Sequence, residues 1–210
     1  MASVLQVATI KDQGGNANAI EIANSSANVT INNLTSSTGF PAGHIIQVQF
    51  RGFDSDQSIG NGSSTGKTFV TVGSGVSGEE FSIPMAVSSG NKIVGFGNVN
   101  IVGSLRYSAL KVYMDSTQIA SGTETGSNRT NVTVAGHTNQ DVNNNQYVME
   151  NSSFSFSYTP SDTSSHTYTV KAGNTNNNNA YTIINRPENN DNDTYIHRGY
   201  SSFILMEVQQ

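Results

Sequence analysis

Phe154-Ser-Phe-Ser-Tyr158, His166-Thr-Tyr-Thr-Val-Lys171, Ala180-Tyr-Thr-Ile-Ile184 and Ser201-Ser-Phe-Ile-Leu-Met-Glu-Val208 follow one another through the last third of the chain. In nearly every piece, apolar or aromatic residues alternate with Ser and Thr. Period two is the spacing of a strand with one covered face and one wet face. Asn, Asp, Ser, Gly or Pro borders each piece and marks a turn. Four such strands with no helical stripe between them predict an antiparallel β-sandwich. A sandwich has no built-in catalytic site, so function has to be read from surfaces and assembly.

Upstream, Ile45-Ile-Gln-Val-Gln-Phe50, Thr68-Phe-Val-Thr-Val72 and Glu80-Phe-Ser-Ile-Pro-Met-Ala-Val87 read as strands. Pro84 cannot donate to a ladder, so its strand belongs on an edge or at a bulge. Lys92 to Val102 and Leu105 to Met114 are long strands, and Thr130–Val134 and Gln146–Met149 are shorter ones. About nine or ten strands suit a jelly roll. Residues 1–36 differ. Val4-Leu-Gln-Val-Ala-Thr-Ile10, Ala19-Ile-Glu-Ile22 and Val29-Thr-Ile31 are short strands with few large side chains. A piece this small is marginal alone in water, so it reads as an N-terminal β arm ahead of a domain at 37–210. Val4, Leu5, Val7, Ile10, Ile20, Ile22, Val29 and Ile31 are the arm residues available to a shared sheet.

The chain has 210 residues, no Cys, no Trp and a formal net charge of −5, and charged residues are only 12% of it. Disulfides, thiolate metal sites and Cys nucleophiles are therefore excluded. No Lys/Arg run forms a nucleic-acid groove, and no apolar run is long enough for a membrane helix. Met1-Ala-Ser-Val-Leu has neither a basic nor a long apolar region of a signal peptide, which predicts synthesis in a cytoplasm.

Motifs of chemistry are sparse. Gly62-Ser-Ser-Thr-Gly-Lys-Thr68 resembles a phosphate-binding loop, but Asn61 stands where the pattern needs Gly, and a strand rather than a helix follows. His44, His137, His166 and His197 show no metal-ligand spacing. Asp54/Asp56 and Asp191/Asp193 do not continue as calcium loops. No Gly-x-Ser-x-Gly elbow occurs, and Glu79 and Glu80 are adjacent, so on a strand they would point to opposite faces. Asn-Xaa-Ser/Thr sequons, such as Asn24, Asn128 and Asn151, are what this much Asn, Ser and Thr produces by chance. No cofactor or metal is expected. Arg106 and Glu207 lie within otherwise apolar strands. Each either faces solvent at an edge or is buried, and burial needs a partner; Glu207 with Arg198 or Arg106 is a candidate pair, within one chain or across subunits.

The ending Arg198-Gly-Tyr-Ser-Ser-Phe-Ile-Leu-Met-Glu-Val208 resembles the closing strand of C1q/TNF-like jelly-roll domains in phage structural proteins, above all those of marine and cyanobacterial phages. The opening Leu5-Gln-Val-Ala-Thr-Ile-Lys-Asp-Gln-Gly-Gly15 is similar to their N-terminal arms. The matches cover about a third of the chain, at its two ends. The resemblance implies a homotrimer with a virion-attaching arm and an outward jelly roll. Leu110, Tyr113, Ile204 and Met206 are the candidates for its threefold core, since exposed apolar strand faces have to be covered.

The leading expectation is thus a non-enzymatic bacteriophage virion protein, made in the host cytoplasm, partnered by itself and by the major capsid protein or another virion protein. The short chain and the lack of a shaft favour capsid decoration (a cement protein). The alternative is the tip of a tail or head fibre that binds host surface glycan, with Tyr195, His197 and Tyr200 first in line. An enzyme such as a polysaccharide depolymerase lacks a visible carboxylate cluster, and a secreted signalling protein lacks its leader.

Overall fold

The computed structural model describes the backbone of residues 9–11, 18–22, 29–31 and 103, and in full residues 42–60, 68–102, 108–123, 130–135, 149–175, 181–187 and 197–210. Among them there is no helix. The strands are β1 (Thr9–Lys11), β2 (Asn18–Ile22), β3 (Val29–Ile31), β4 (Ile45–Phe53), β5 (Gln57–Gly60), β6 (Phe69–Thr71), β7 (Ser82–Ala86), β8 (Lys92–Gly103), β9 (Ser108–Met114), β10 (Thr117–Ile119), β11 (Val134–Ala135), β12 (Glu150–Tyr158), β13 (Ser165–Asn174), β14 (Tyr181–Ile184) and β15 (Ser201–Val208). The pairings are antiparallel, so the architecture is all-β and consistent with a β-sandwich.

β8 organises one large sheet. It pairs β12 along one edge and β15, then β14, along the other; β4 lies beyond β15 and β5 beyond β14. β13 organises the other. β9 runs along one edge with β10 and β11 beyond it, and β7 and β6 share the opposite edge. β7 pairs only with β13 among the described strands, which places Pro84 on an edge as its missing donor requires.

The inward positions of both sheets form one apolar core, including Phe53, Ile83, Ile93, Leu110, Val112, Val170, Phe203 and Leu205. Phe203 is its hub, with ring centroids 6.0 Å from Phe81, 5.9 Å from Phe154 and 6.5 Å from Phe156. The two β12 rings fit because β8 offers glycines beneath them. A Cβ on Gly95 would collide with the Phe156 ring, and one on Gly97 would meet the Phe154 ring at 2.9 Å. This is a steric reason for Gly within a strand otherwise rich in Ile and Val.

The strands at Ile45, Phe69, Ser82, Lys92, Ser165, Tyr181 and Ser201 fall where alternation places them. β5 and β10 are additional: three or four residues of mixed polarity carry too little periodicity to be seen. The strand expected over Thr130–Val134 shrinks to Val134–Ala135. Residues 146–148, which open the strand expected over Gln146–Met149, lie outside the described residues, and β12 begins at Glu150.

β1, β2 and β3 form a separate three-stranded antiparallel sheet. Ile20 stands opposite both Ile10 and Ile31, and Ile22 opposite Val29; Glu21 stands opposite Thr9 and Thr30. The isoleucines and Val29 are therefore paired with one another across the three strands. Val4, Leu5, Val7 and the boundary expected near Ser36 lie outside the described residues.

Candidate functional site

β15 carries the residues on which the sequence reading concentrated, and its two faces have different roles. Ser201, Phe203, Leu205 and Glu207 are buried, whereas Ser202, Ile204, Met206 and Val208 are only partly so. Glu207 is 1% exposed, yet among the described residues its partners are neutral donors and not a cation. Its Oε1 accepts from the Ser88 backbone N at 2.8 Å and from Asn91 Nδ2 at 2.7 Å, and its Oε2 accepts from Gln47 Nε2 at 2.6 Å. Burial pushes the carboxyl pKa up, but the bonds from Asn91, Gln47 and Ser88 outweigh it and hold the group below its ordinary value. The expected Glu207–Arg198 pair does not form, and Arg106 lies outside the described residues. Neutral donors replace the cation: a carboxylate needs its lone pairs filled, and amides do that without desolvating a second charge. The result ties β15 to β4 and to the β7–β8 turn.

Arg198 instead pairs with Asp56, which also faces Arg186 Nε at 3.4 Å. Asp56 is therefore committed to two arginines. The rest of the Arg-Gly-Tyr-Ser run is explained by close packing. A Cβ on Gly199 would sit 2.7 Å from Asn100 Nδ2. Ser201 Oγ donates to Asn185 Oδ1 at 2.6 Å, and Asn185 Nδ2 donates to the carbonyls of Phe53 and Ser55 at 2.7 and 3.0 Å. Asn185 is fully buried at φ +61°, a conformation that Asn tolerates better than most residues. Tyr200 is left outward over Gly52, about half exposed.

The outer face of the β4–β15–β8 layer is the feature that a single chain does not explain. Phe50, Ile204 and Phe96 stand in one cross-strand row, and Val48, Met206 and Val94 in the next. Val48 is 53% exposed, Phe50 49%, Ile45 47% and Phe96 38%. Toward β12 the row ends in Ser155 and Ser157, both exposed. Toward the Arg198 end it gives way to amides and hydroxyls. Asn98 and Asn100 donate to the Tyr200 carbonyl at 3.2 and 2.8 Å, and Ser202 Oγ donates to Asn98 Oδ1 at 2.7 Å. The face is thus an apolar band with a polar border.

Of the four threefold-core candidates, Ile204 and Met206 lie in this band. Leu110 does not: it is fully buried between the sheets and has no surface to give a partner. Tyr113 lies on the outer face of the other sheet, its ring beneath Lys171 Nζ at 4.6 Å. Leu110 and Tyr113 are three residues apart, and odd spacing on a strand sends side chains to opposite faces. The band's most exposed members, Ile45, Val48, Phe50 and Phe96, were not singled out from sequence. Their signal was present in the alternation of Ile45–Phe50 and in the sequence Val94-Gly-Phe96.

Among the described residues, no cluster of His, Asp and Glu can hold a metal ion. His44 and His197 are exposed and apart, and His137, Tyr195, Asp191 and Asp193 lie outside the described residues. Residues 61–67 of the loop resembling a phosphate cradle are likewise outside, and a strand follows Thr68. No protein-family model matches the chain, and no curated protein matches it.

Proposed function

We infer that this chain is a non-enzymatic structural protein of a bacteriophage virion, a homotrimer exposed on the particle as a capsid decoration or cement protein. The observation that carries the reading is the apolar band of β4, β15 and β8. A soluble protein with Val48, Phe50, Phe96, Ile204 and Met206 side by side on a flat face needs a partner to cover them. A flat face of this kind suits a second copy in a closed ring. The strand order supports a jelly roll of C1q/TNF type: β4, β15, β8 and β12 in one sheet, and β7, β13, β9 and β10 in the other, with the chain passing repeatedly between them. The close-packed Arg198-Gly-Tyr-Ser run supports the resemblance at the chain's end, because three of its four residues have a defined structural task. The arm fits attachment to the major capsid protein or another virion protein by strand addition.

Native mass spectrometry at micromolar concentration tests the assembly, with a trimer expected and a monomer overturning it. Quantitative mass spectrometry of purified particles tests the position, with about one copy per capsid subunit expected for decoration. A second reading, a fibre tip that binds host surface glycan, is favoured by the exposed Tyr200 ring beside the amides of Asn98 and Asn100. A few dozen copies or fewer per particle would select it.

A further inference from the structure

Asp115 and Ser116 form the two-residue loop between β9 and β10, because Met114 pairs with Thr117. Asp115 has φ +52°, a conformation that a residue with a side chain seldom adopts. It is held there from several sides. Its backbone N donates to the Thr167 carbonyl at 2.8 Å, and its Oδ1 accepts from Thr167 N at 2.8 Å. Its Oδ2 lies 2.7 Å from His166 Nδ1. The other ring nitrogen, Nε2, lies 3.1 Å from Asp162 Oδ1, in the connection between β12 and β13. That same oxygen accepts from Ser164 N at 2.7 Å. The His166 side chain is 13% exposed, while both carboxylates are about half exposed.

Carboxylates only accept hydrogen bonds, so both ring nitrogens have to donate, and the ring in this geometry is an imidazolium. The two nitrogens face away from each other, so the three groups do not converge on one point as metal ligands would. We propose that His166 is a protonation-controlled latch: charged, it fastens the β12–β13 connection to the Asp115 turn, and neutral, it releases the connection while keeping the turn.

The order of release follows from the contacts. A neutral imidazole donates through one nitrogen and turns a lone pair toward the other carboxylate. Asp115 has the shorter bond and is anchored again through Thr167. Asp162 has the longer bond and otherwise only its local bond to Ser164. The proton therefore stays on Nδ1, and Asp162 leaves.

The electrostatics agree in direction. The hydrogen bond to Asp115 raises the His166 pKa above its ordinary 6.5, burial opposes this, and the bond to Asp162 raises it further. Asp115 is held below its ordinary range first by the Thr167 N–H, and Asp162 by the Ser164 N–H, so both stay ionised where the ring titrates. Tyr168, on the same strand, is pushed up to about 12 by burial and stays neutral in that window. Among the described residues, Tyr158, at the end of β12, is a further titratable group close to Tyr168. The flanking β7 and β10 carry no titratable residue. Because the folded pKa is raised, the latch is fully closed below pH 6.5 and opens as pH rises through the raised value.

Long-range proton–nitrogen spectra of the full chain from pH 5 to 10 test this. Two protonated ring nitrogens are expected in acid and an Nδ1–H tautomer in alkali, with a midpoint above 6.5. Hydrogen exchange at Ser164, corrected for its intrinsic pH dependence, should rise roughly tenfold through that midpoint as the segment opens locally. In His166→Gln the step should vanish. In Asp162→Ala, which removes the acceptor of both bonds, leaves the Asp115 turn intact and serves if the first variant does not fold, fast exchange at Ser164 should already be present in acid. An Nε2–H tautomer, a midpoint at or below 6.5, or a step that survives in His166→Gln would overturn the latch.

Discussion

β12 and β15 flank β8 on opposite edges and share one inward pattern, yet their outward faces are opposites. Inward, β12 presents Phe154 and Phe156, and β15 presents Phe203 and Leu205, all in the same core. Outward, β12 shows Ser153, Ser155 and Ser157, while β15 shows Ile204, Met206 and Val208. Inward residues decide whether the sandwich forms; outward residues decide what the sandwich meets. β12 presents a polar outward face, and β15, with Phe50 and Val48 beyond it, an apolar one. One strand period thus sets the inward and the outward face independently.

The largest expected effect breaks the shared half of the comparison. Phe203→Ala removes the ring that contacts Phe81, Phe154 and Phe156 and leaves a cavity between the sheets. It should cost about 4 kcal/mol, read as a fall in the urea midpoint. A loss below about 1 kcal/mol would mean that the core closes around the gap and that Phe203 is no hub.

The outward half is tested without touching the core. Phe50→Asp should leave the secondary structure and the unfolding of the single chain nearly unchanged but weaken self-association by about 2 kcal/mol or more, some 30-fold. Ser155→Asp, the matching change at the end of the same cross-strand row, should leave assembly intact. Equal responses from the two, measured by sedimentation, would show that the band has no special share in the contact.

The smallest effect concerns Glu207, an inward residue of β15 that is ionised rather than apolar. Folding lowers its pKa, so the folded chain holds the proton less tightly than the unfolded one. The stability this confers is present above the ordinary carboxylate value of 4.5 and is lost as pH falls through the lowered folded value. Glu207→Gln keeps the shape but turns an amide toward donors. It should cost about 1–2 kcal/mol at pH 7 and little once the pH has fallen below the lowered folded value, so that the thermal unfolding curves of variant and parent converge in acid. A constant gap across the range would assign the cost to packing instead.

Much of the fold is readable from local pattern, because the alternation of a strand is a property of neighbouring residues. The strands at Ile45, Lys92, Ser165 and Ser201 all announce themselves this way, and so does the edge position of Pro84, since a missing N–H is intrinsic to the residue. Glu207 stood out as a charge in an apolar strand, but the sequence left open whether it faced solvent at an edge or was buried; only the structure puts it inside. Its partners were not legible. Asn91 and Gln47 are far away in the chain, and nothing local distinguishes them from the many other amides here. Leu110 shows the same limit from the other side. Period two separates it from Tyr113 but does not name the inward face, and only the pairing of β9 with β13 puts Leu110 between the sheets. The apolar band is the clearest case. Ile204 and Met206 could be picked from β15 alone, but Phe50 and Phe96 join them through strand register, and register is set by backbone pairing between segments that the sequence holds far apart. Composition and periodicity by themselves determined an all-β chain of turn-bordered strands; the assignment of each face to core or surface belonged to the tertiary structure, because burial is a property of what lies opposite a residue and not of what lies beside it.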